Sequence, residues 1–206
     1  MNDFEFLAGF FGVLLGLVIA QVAGKLAEAI DEHRERPVGL LTSLLAAFVL
    51  CDVTGFWLWI WSARTVITVS WSSVFLSTAL AIIYYLAAAL MFPRVAARWA
   101  SYDEHYWARK RLVLGGILAV NTLTLLGQLA RRLPELNDFW FYPYQLGYFL
   151  PLTALLFTRR RWQDAALLSW LLLTYVIVGF DLLPSSRWGD AVMLNPGQMA
   201  AATALP

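Results

Sequence analysis

Long apolar stretches separated by short polar loops dominate the hydropathy pattern of the chain. Six of these stretches hold roughly 20 mainly apolar residues each, the length that an α-helix needs to cross the hydrocarbon core of a bilayer. The predicted spans are Phe4–Ala27, Gly39–Trp61, Trp71–Phe92, Leu112–Ala130, Phe139–Thr158 and Ala165–Leu183. The pattern therefore predicts an all-α integral membrane protein, with residues 1–206 forming a single six-helix bundle that carries an external C-terminal tail at 184–206.

The Lys and Arg residues fall mainly into alternate loops between these spans. Eleven of the fifteen lie in or beside the loops around Arg34, Arg109 and Arg160, and only four lie elsewhere. Loops rich in Lys and Arg stay on the cytoplasmic side of a membrane during insertion. We therefore expect the three basic loops in the cytoplasm and both termini outside, in a multi-pass protein of a bacterial inner (cytoplasmic) membrane.

Composition agrees with a membrane environment. Hydrophobic residues make up 60% of the chain and charged residues 14%, whereas soluble domains carry about 25% charged residues. The net charge is only +1 and the basic residues flank spans instead of forming one patch, so no nucleic-acid partner is expected. The expected partners are membrane lipid and other membrane-protein subunits or a second copy of the chain.

The first span carries a small residue at every fourth position. In lipid, such a stripe lets the backbone of another helix approach closely, so that packing replaces the missing hydrophobic drive. We expect this helix-packing stripe either to contact another helix of the same chain or to form a subunit interface. Its members are Ala8, Gly12, Gly16, Ala20 and Gly24.

The fifth span is the least regular because it contains Pro143 and Pro151. A proline removes a backbone donor and clashes with the preceding turn, so the sequence predicts a kinked or broken fifth helix. Its aromatic segment, residues 139–148, is typical of the belts that anchor spans at the membrane interface. A groove for a lipid, quinone or pigment is the alternative interpretation of the same segment.

The segment before the fourth span is amphipathic. Trp99, Tyr102 and Tyr106 share one helical face among charged neighbours, which predicts an interfacial position. Ser101 and Glu104 have the spacing of a capping box, in which the side chain of each residue accepts a hydrogen bond from the backbone N–H of the other. We therefore expect a helix to begin near Tyr102 and to run into the fourth span.

Asp52 lies near the middle of the second span, about 20 Å from the predicted cytoplasmic end at 1.5 Å per residue. A charge at this depth costs about 2.5–3.5 kcal/mol, so Asp52 should face protein or water and have a partner. Asn121, Thr124 and Gln128 share a face of the fourth span at a similar depth, and Asp181 lies near the outer end of the sixth. We expect these five residues to line an intramembrane polar pocket. It is either a solute, ion or proton site or an interhelical clasp around a protonated or hydrogen-bonded Asp52.

Motifs for catalysis or cofactor binding are missing from the sequence. The two histidines, His33 and His105, each end an Asp-Glu-His tripeptide outside the predicted spans, which fits solvated helix ends better than a metal site. Neither a G-x-S-x-G motif nor a P-loop is present. The sequence therefore predicts no catalytic residues, no metal and no cofactor.

Two functions fit these features. A non-enzymatic accessory or scaffold subunit of a membrane-protein assembly fits the small-residue stripe, the aromatic belts and the missing catalytic motifs. A small solute-, ion- or proton-coupled transporter or channel fits Asp52, the polar fourth span and the irregular fifth span. The sequence favours the first.

Overall fold

A computed structural model of the chain describes residues 3–34, 36–62, 69–95, 98–131, 133–134, 139–180 and 182. Over these residues the regular structure is entirely helical, as predicted. Asp181 and the predicted tail at 184–206 lie outside the described residues. The helices are α1 (Asp3–Asp31), α2 (Leu40–Ser62), α3 (Trp71–Met91), α4 (Tyr102–Leu129), α5 (Phe141–Leu155) and α6 (Arg161–Gly179), with a 3₁₀ turn at Glu32–Arg34 after α1.

Five of these six helices are long and apolar enough to cross a membrane, which makes the chain a multi-pass membrane protein. The exception is α5, which has 15 residues. At 1.5 Å per residue it is about 22 Å long, shorter than the roughly 30 Å hydrocarbon core. It is thus shorter than the predicted span Phe139–Thr158. The helix continues through Pro151, and the kink expected there stays a prediction.

The helices form one bundle around a continuous apolar core. The principal contacts join α3 to α1 and α4, α2 to α1 and α6, and α5 to α6. By contrast, α2 and α4 contact each other only sparsely. The sparse packing between α2 and α4 leaves space beside the polar residues that both helices carry.

The helix α1 turns one face of large apolar side chains into the core and exposes most of its small residues. Its core face consists of Leu7, Phe11, Leu15, Val18 and Val22, spaced three or four residues apart.

The small-residue stripe lies mostly on the opposite side of α1. Ala8 is buried and Gly12 is half-buried, and a Cβ on Gly12 would lie 3.5 Å from Nε1 of Trp57. Gly16, Ala20 and Gly24 are exposed, and a Cβ on either glycine would meet nothing within 4 Å. The expectation that the stripe packs inside the chain is therefore wrong beyond Gly12.

The helix α4 begins at Tyr102, ten residues before the predicted span, as the capping pattern suggested. The hydroxyl of Ser101 accepts from the Glu104 backbone N–H at 3.2 Å. The Glu104 carboxylate accepts from the N–H of Ala100 at 2.8 Å, one residue earlier than a capping box requires. Tyr102 and Tyr106 are buried in the bundle, so these two side chains pack against other helices, and their predicted position at the membrane interface stays a prediction. The hydroxyl of each tyrosine donates to a carboxylate: Tyr102 to the partly exposed Glu32 at 3.2 Å, and Tyr106 to a buried carboxylate that is described below.

The start of α2 is fixed to the start of α4. The Asp103 carboxylate accepts from both the backbone N–H and the hydroxyl of Thr42, each at 3.0 Å. Gly39 is required for this approach, because a Cβ there would overlap the Asp103 carboxylate. The two helices therefore start at the same end of the bundle and run in parallel, which brings Asp52 and Asn121 to a common level.

Candidate functional site

Asp52 is buried in the centre of the bundle, with 2% of its surface exposed. Its Oδ1 accepts hydrogen bonds from the hydroxyls of Tyr148 and Tyr175, both at 2.5 Å. Its Oδ2 accepts from the hydroxyl of Tyr84 at 2.6 Å and from the amide of Asn121 at 3.2 Å. Four donors thus surround a single carboxylate.

This Asp52 cluster, formed by Asp52, Tyr84, Asn121, Tyr148 and Tyr175, joins five helices, because its members come one each from α2, α3, α4, α5 and α6. Asn121 uses its amide nitrogen twice, since it also donates to the Ile117 carbonyl at 3.0 Å. Gly55, almost one turn after Asp52, leaves room for the Tyr175 ring. A Cβ on Gly55 would lie only 3.1 Å from Tyr175 Cε1.

The geometry of the Asp52 cluster fits an ionised carboxylate. An ionised carboxylate is an acceptor only, whereas a protonated carboxyl group must also donate. All four partners have a hydrogen available to donate: Oδ1 receives two short hydrogen bonds from tyrosines, Oδ2 receives one from Tyr84, and the Asn121 amide lies 3.2 Å from Oδ2 and 3.4 Å from Oδ1. Hydrogen bonds to a charged group are stronger than neutral ones and offset part of the cost of burying the charge. The carboxylate oxygens have little capacity left for a further ligand.

A cavity of about 740 Å³ adjoins the Asp52 cluster and is bordered by α2, α4, α5 and α6. Of the predicted pocket residues, Asp52, Asn121, Thr124 and Gln128 all border this cavity, and Asp181 lies outside the described residues. The remaining polar surface includes Gln145 of α5, which sequence reasoning missed. The cavity reaches the end of the bundle at which α2, α4 and α6 terminate, because it includes side chains of their last two turns.

A second, smaller cavity of about 240 Å³ lies between α1, α2, α3 and α4. It shares Phe56, Trp59, Thr124 and Gln128 with the first cavity. Arg131, two residues after the end of α4, also borders it. Gln128 therefore stands between two adjoining spaces.

Sequence reasoning missed the three tyrosines of the Asp52 cluster. Tyr84, Tyr148 and Tyr175 each lie well inside a helix, whereas membrane tyrosines generally concentrate at the two interfaces. A buried tyrosine hydroxyl generally needs a hydrogen-bond partner. Tyrosines in the middle of apolar helices were therefore the available signal that a shared acceptor such as Asp52 lay between them.

A second buried polar cluster lies near the start of α4 and α6. Asp164 is fully buried, and its Oδ2 accepts from Lys110 at 2.6 Å and from the Tyr106 hydroxyl at 2.7 Å. Lys110 also donates to the Thr158 carbonyl at 2.7 Å, and its Nζ lies 4.3 Å from the ring centroid of Trp107. Removing one partner of such a buried pair leaves an uncompensated charge, so the cluster fixes α6 to α4.

The two histidine tripeptides lie in different surroundings. His33 is exposed, whereas His105 is buried and its Nε2 lies 3.0 Å from the Leu90 carbonyl. Within the described residues, no group of three or more His, Cys, Asp or Glu side chains is arranged to hold a metal ion.

Comparison with family models, curated proteins and solved structures found no match to this chain.

Proposed function

We propose that the chain is a non-enzymatic scaffold subunit of a membrane-protein assembly, and that α1 contacts a helix of another subunit. The observation that carries this proposal is the outward position of Gly16, Ala20 and Gly24 on α1. A Cβ on either glycine would meet nothing within 4 Å, so the backbone there is open to a neighbour. Small residues of this kind permit close helix approach in lipid, where apolar side chains alone give no drive to associate.

The Asp52 cluster supports a structural role for the buried polar residues. Both carboxylate oxygens are occupied by donors from four helices, so Asp52 offers no free acid or base for catalysis. Its contacts fix the relative positions of the helices on which a scaffold depends. We further propose the membrane orientation given by the basic loops, with both termini outside and the bundle in a bacterial inner membrane.

The scaffold proposal is tested by comparing two matched small-to-large substitutions. Gly16→Leu adds bulk to the exposed face of α1, and Ala119→Leu adds bulk at an exposed position of α4. Each variant is extracted from its native membrane in a mild detergent, and the mass of the complex is measured by native mass spectrometry. We expect Gly16→Leu to release the chain as a monomer with unchanged thermal stability, and Ala119→Leu to leave the complex intact.

Two results would contradict the scaffold proposal. One is a wild-type chain that is already monomeric after mild extraction. The other is a Gly16→Leu variant whose complex has the wild-type mass.

Coupled transport is the second candidate, and the cavity of about 740 Å³ beside Asp52 favours it. A coupling carboxylate must change partners during a transport cycle. For Asp52 this requires breaking hydrogen bonds of 2.5–2.6 Å to three tyrosines. The transporter proposal therefore ranks below the scaffold proposal.

A further inference from the structure

The larger cavity has unused hydrogen-bonding capacity on two of its walls. Gln128 of α4 and Gln145 of α5 are half-buried and border this space. Across the described part of the chain, neither side-chain amide has a hydrogen-bond partner. Each amide offers both donors and an acceptor. A half-buried amide without a partner loses part of its hydration and gains nothing in return, so a ligand oxygen that accepts from it would bind favourably.

The charge of the cavity favours an uncharged ligand. Among the described residues that line it, Asp52 is the only charged one. Its oxygens already accept four hydrogen bonds, so a cation would compete with three tyrosine hydroxyls. An anion would approach a buried negative charge and find no Lys or Arg among these lining residues. Neutral amides are thus the groups available to a ligand.

The apolar part of the lining suits a flat ring. Trp59, Tyr148 and Phe149 border the space, and aromatic side chains pack favourably against flat rings in stacked or edge-to-face arrangements. Leu58 and Val178 also border it, and more than half of each side chain is exposed. An apolar chain attached to the ring can therefore extend over these two residues into lipid. At about 740 Å³ the cavity falls within the usual range for small-molecule sites.

We propose that this cavity binds an uncharged, lipid-soluble ring compound of the quinone class, whose ring oxygens accept hydrogen bonds from Gln128 and Gln145. The ring lies among the aromatic side chains and the apolar tail leaves past Leu58 and Val178. This site is independent of the scaffold proposal, because no residue of α1 lines the cavity.

The test measures equilibrium binding of tritium-labelled decylbenzoquinone to the purified full-length chain in lipid nanodiscs. Decylbenzene, which has the same tail and no ring oxygens, is the competing ligand control. Gln145→Leu removes one donor at the cavity, and Gln163→Leu is the matched variant, since Gln163 is half-buried on α6 and does not border the cavity. Gln128→Leu is a second cavity variant, which keeps the test informative if Gln145→Leu fails to fold.

We expect saturable binding that Gln145→Leu weakens by about tenfold, the effect of one lost hydrogen bond. Gln163→Leu should bind like the wild type, and decylbenzene at the same concentration should displace far less of the labelled quinone than unlabelled decylbenzoquinone does. Absence of saturable binding to folded wild-type protein would overturn the proposal. So would equal displacement by decylbenzene, or unchanged affinity in folded Gln145→Leu and Gln128→Leu. None of these results bears on the oligomeric mass that tests the scaffold proposal.

Discussion

Replacing Tyr84 by Phe removes the short hydrogen bond that its hydroxyl donates to Asp52, together with a long contact of 3.5 Å from the Asn121 amide nitrogen. Tyr84 is fully buried, and its hydroxyl donates to Asp52 Oδ2 at 2.6 Å. The phenylalanine ring keeps the packing against Phe56, whose centroid lies 5.4 Å away. The substitution therefore isolates the contribution of one donor to a buried carboxylate.

The expected magnitude depends on the charge of Asp52. A hydrogen bond to a charged group contributes about 1.5–3 kcal/mol, which corresponds to a 10- to 150-fold change, roughly, in the folding equilibrium. An interhelical hydrogen bond in a membrane contributes about 0.6 kcal/mol on average. Because the geometry fits an ionised Asp52, we expect Tyr84→Phe to lower the free energy of unfolding by about 1.5–3 kcal/mol.

The assay is reversible unfolding in mixed micelles by titration with a denaturing detergent. Tyr85→Phe is the control, because Tyr85 is adjacent, 43% exposed and without a hydrogen bond to any described residue. This control should change the free energy of unfolding by less than about 0.5 kcal/mol. The same loss in both variants, or a loss near 0.6 kcal/mol in Tyr84→Phe, the membrane average, would refute the argument that a charged Asp52 holds the helices together.

Two further predictions concern orientation and transport. In a variant with Cys51 replaced by Ala and a cysteine introduced at Arg109, the new cysteine should not react with an impermeant thiol reagent applied to intact cells. It should react after permeabilisation, because the basic loops are expected inside. Labelling from outside would contradict this orientation. Proteoliposomes containing the wild-type chain should show no proton flux above empty liposomes in a pH-dye assay, because the Asp52 oxygens are fully engaged. A wild-type flux that a folded Asp52→Asn variant lacks would favour the transporter instead.

Most of the fold could be predicted because span length and periodicity are local properties. The polar residues of α2 and α4 could also be selected in advance, since the cost of placing Asp52 in lipid requires a partner. The identity of most partners could not, because it depends on which helices become neighbours. From the sequence alone, Tyr148 and Tyr175 could equally belong to an aromatic belt at the membrane interface or to apolar packing, because the positions of their helices relative to Asp52 were not known.

The position of the small-residue stripe shows a second limit of sequence reasoning. The regular spacing of small residues in α1 indicates that another helix can approach closely, but it does not indicate which helix does so. Leu7, Phe11 and Leu15 bury far more surface than Gly16 or Ala20 can, and they determine the inward face. Of the two interpretations of the stripe, packing inside the chain therefore fails beyond Gly12, and the subunit interface stays a prediction.

The structure also changes the expected effect of Asp52→Asn. If Asp52 were a simple neutral clasp, asparagine would replace it almost without cost. In the Asp52 cluster, however, each oxygen faces two donors, and an amide nitrogen at either position would face them with hydrogens of its own. A tyrosine hydroxyl can rotate to accept, but the Asn121 amide nitrogen cannot, so some loss of stability is expected.

Asp52 is synthesised before all four of its hydrogen-bond partners. Asp52 enters the membrane with α2, and Tyr84 and Asn121 follow with α3 and α4. Tyr148 and Tyr175, which supply the two short hydrogen bonds to Oδ1, arrive only with the last two helices. Asp164 in turn finds Lys110 already inserted when α6 emerges. A nascent chain that stops before α5 therefore holds a carboxylate in the bilayer that lacks these two hydrogen bonds, so the docking of α5 and α6 is the step that completes the Asp52 cluster.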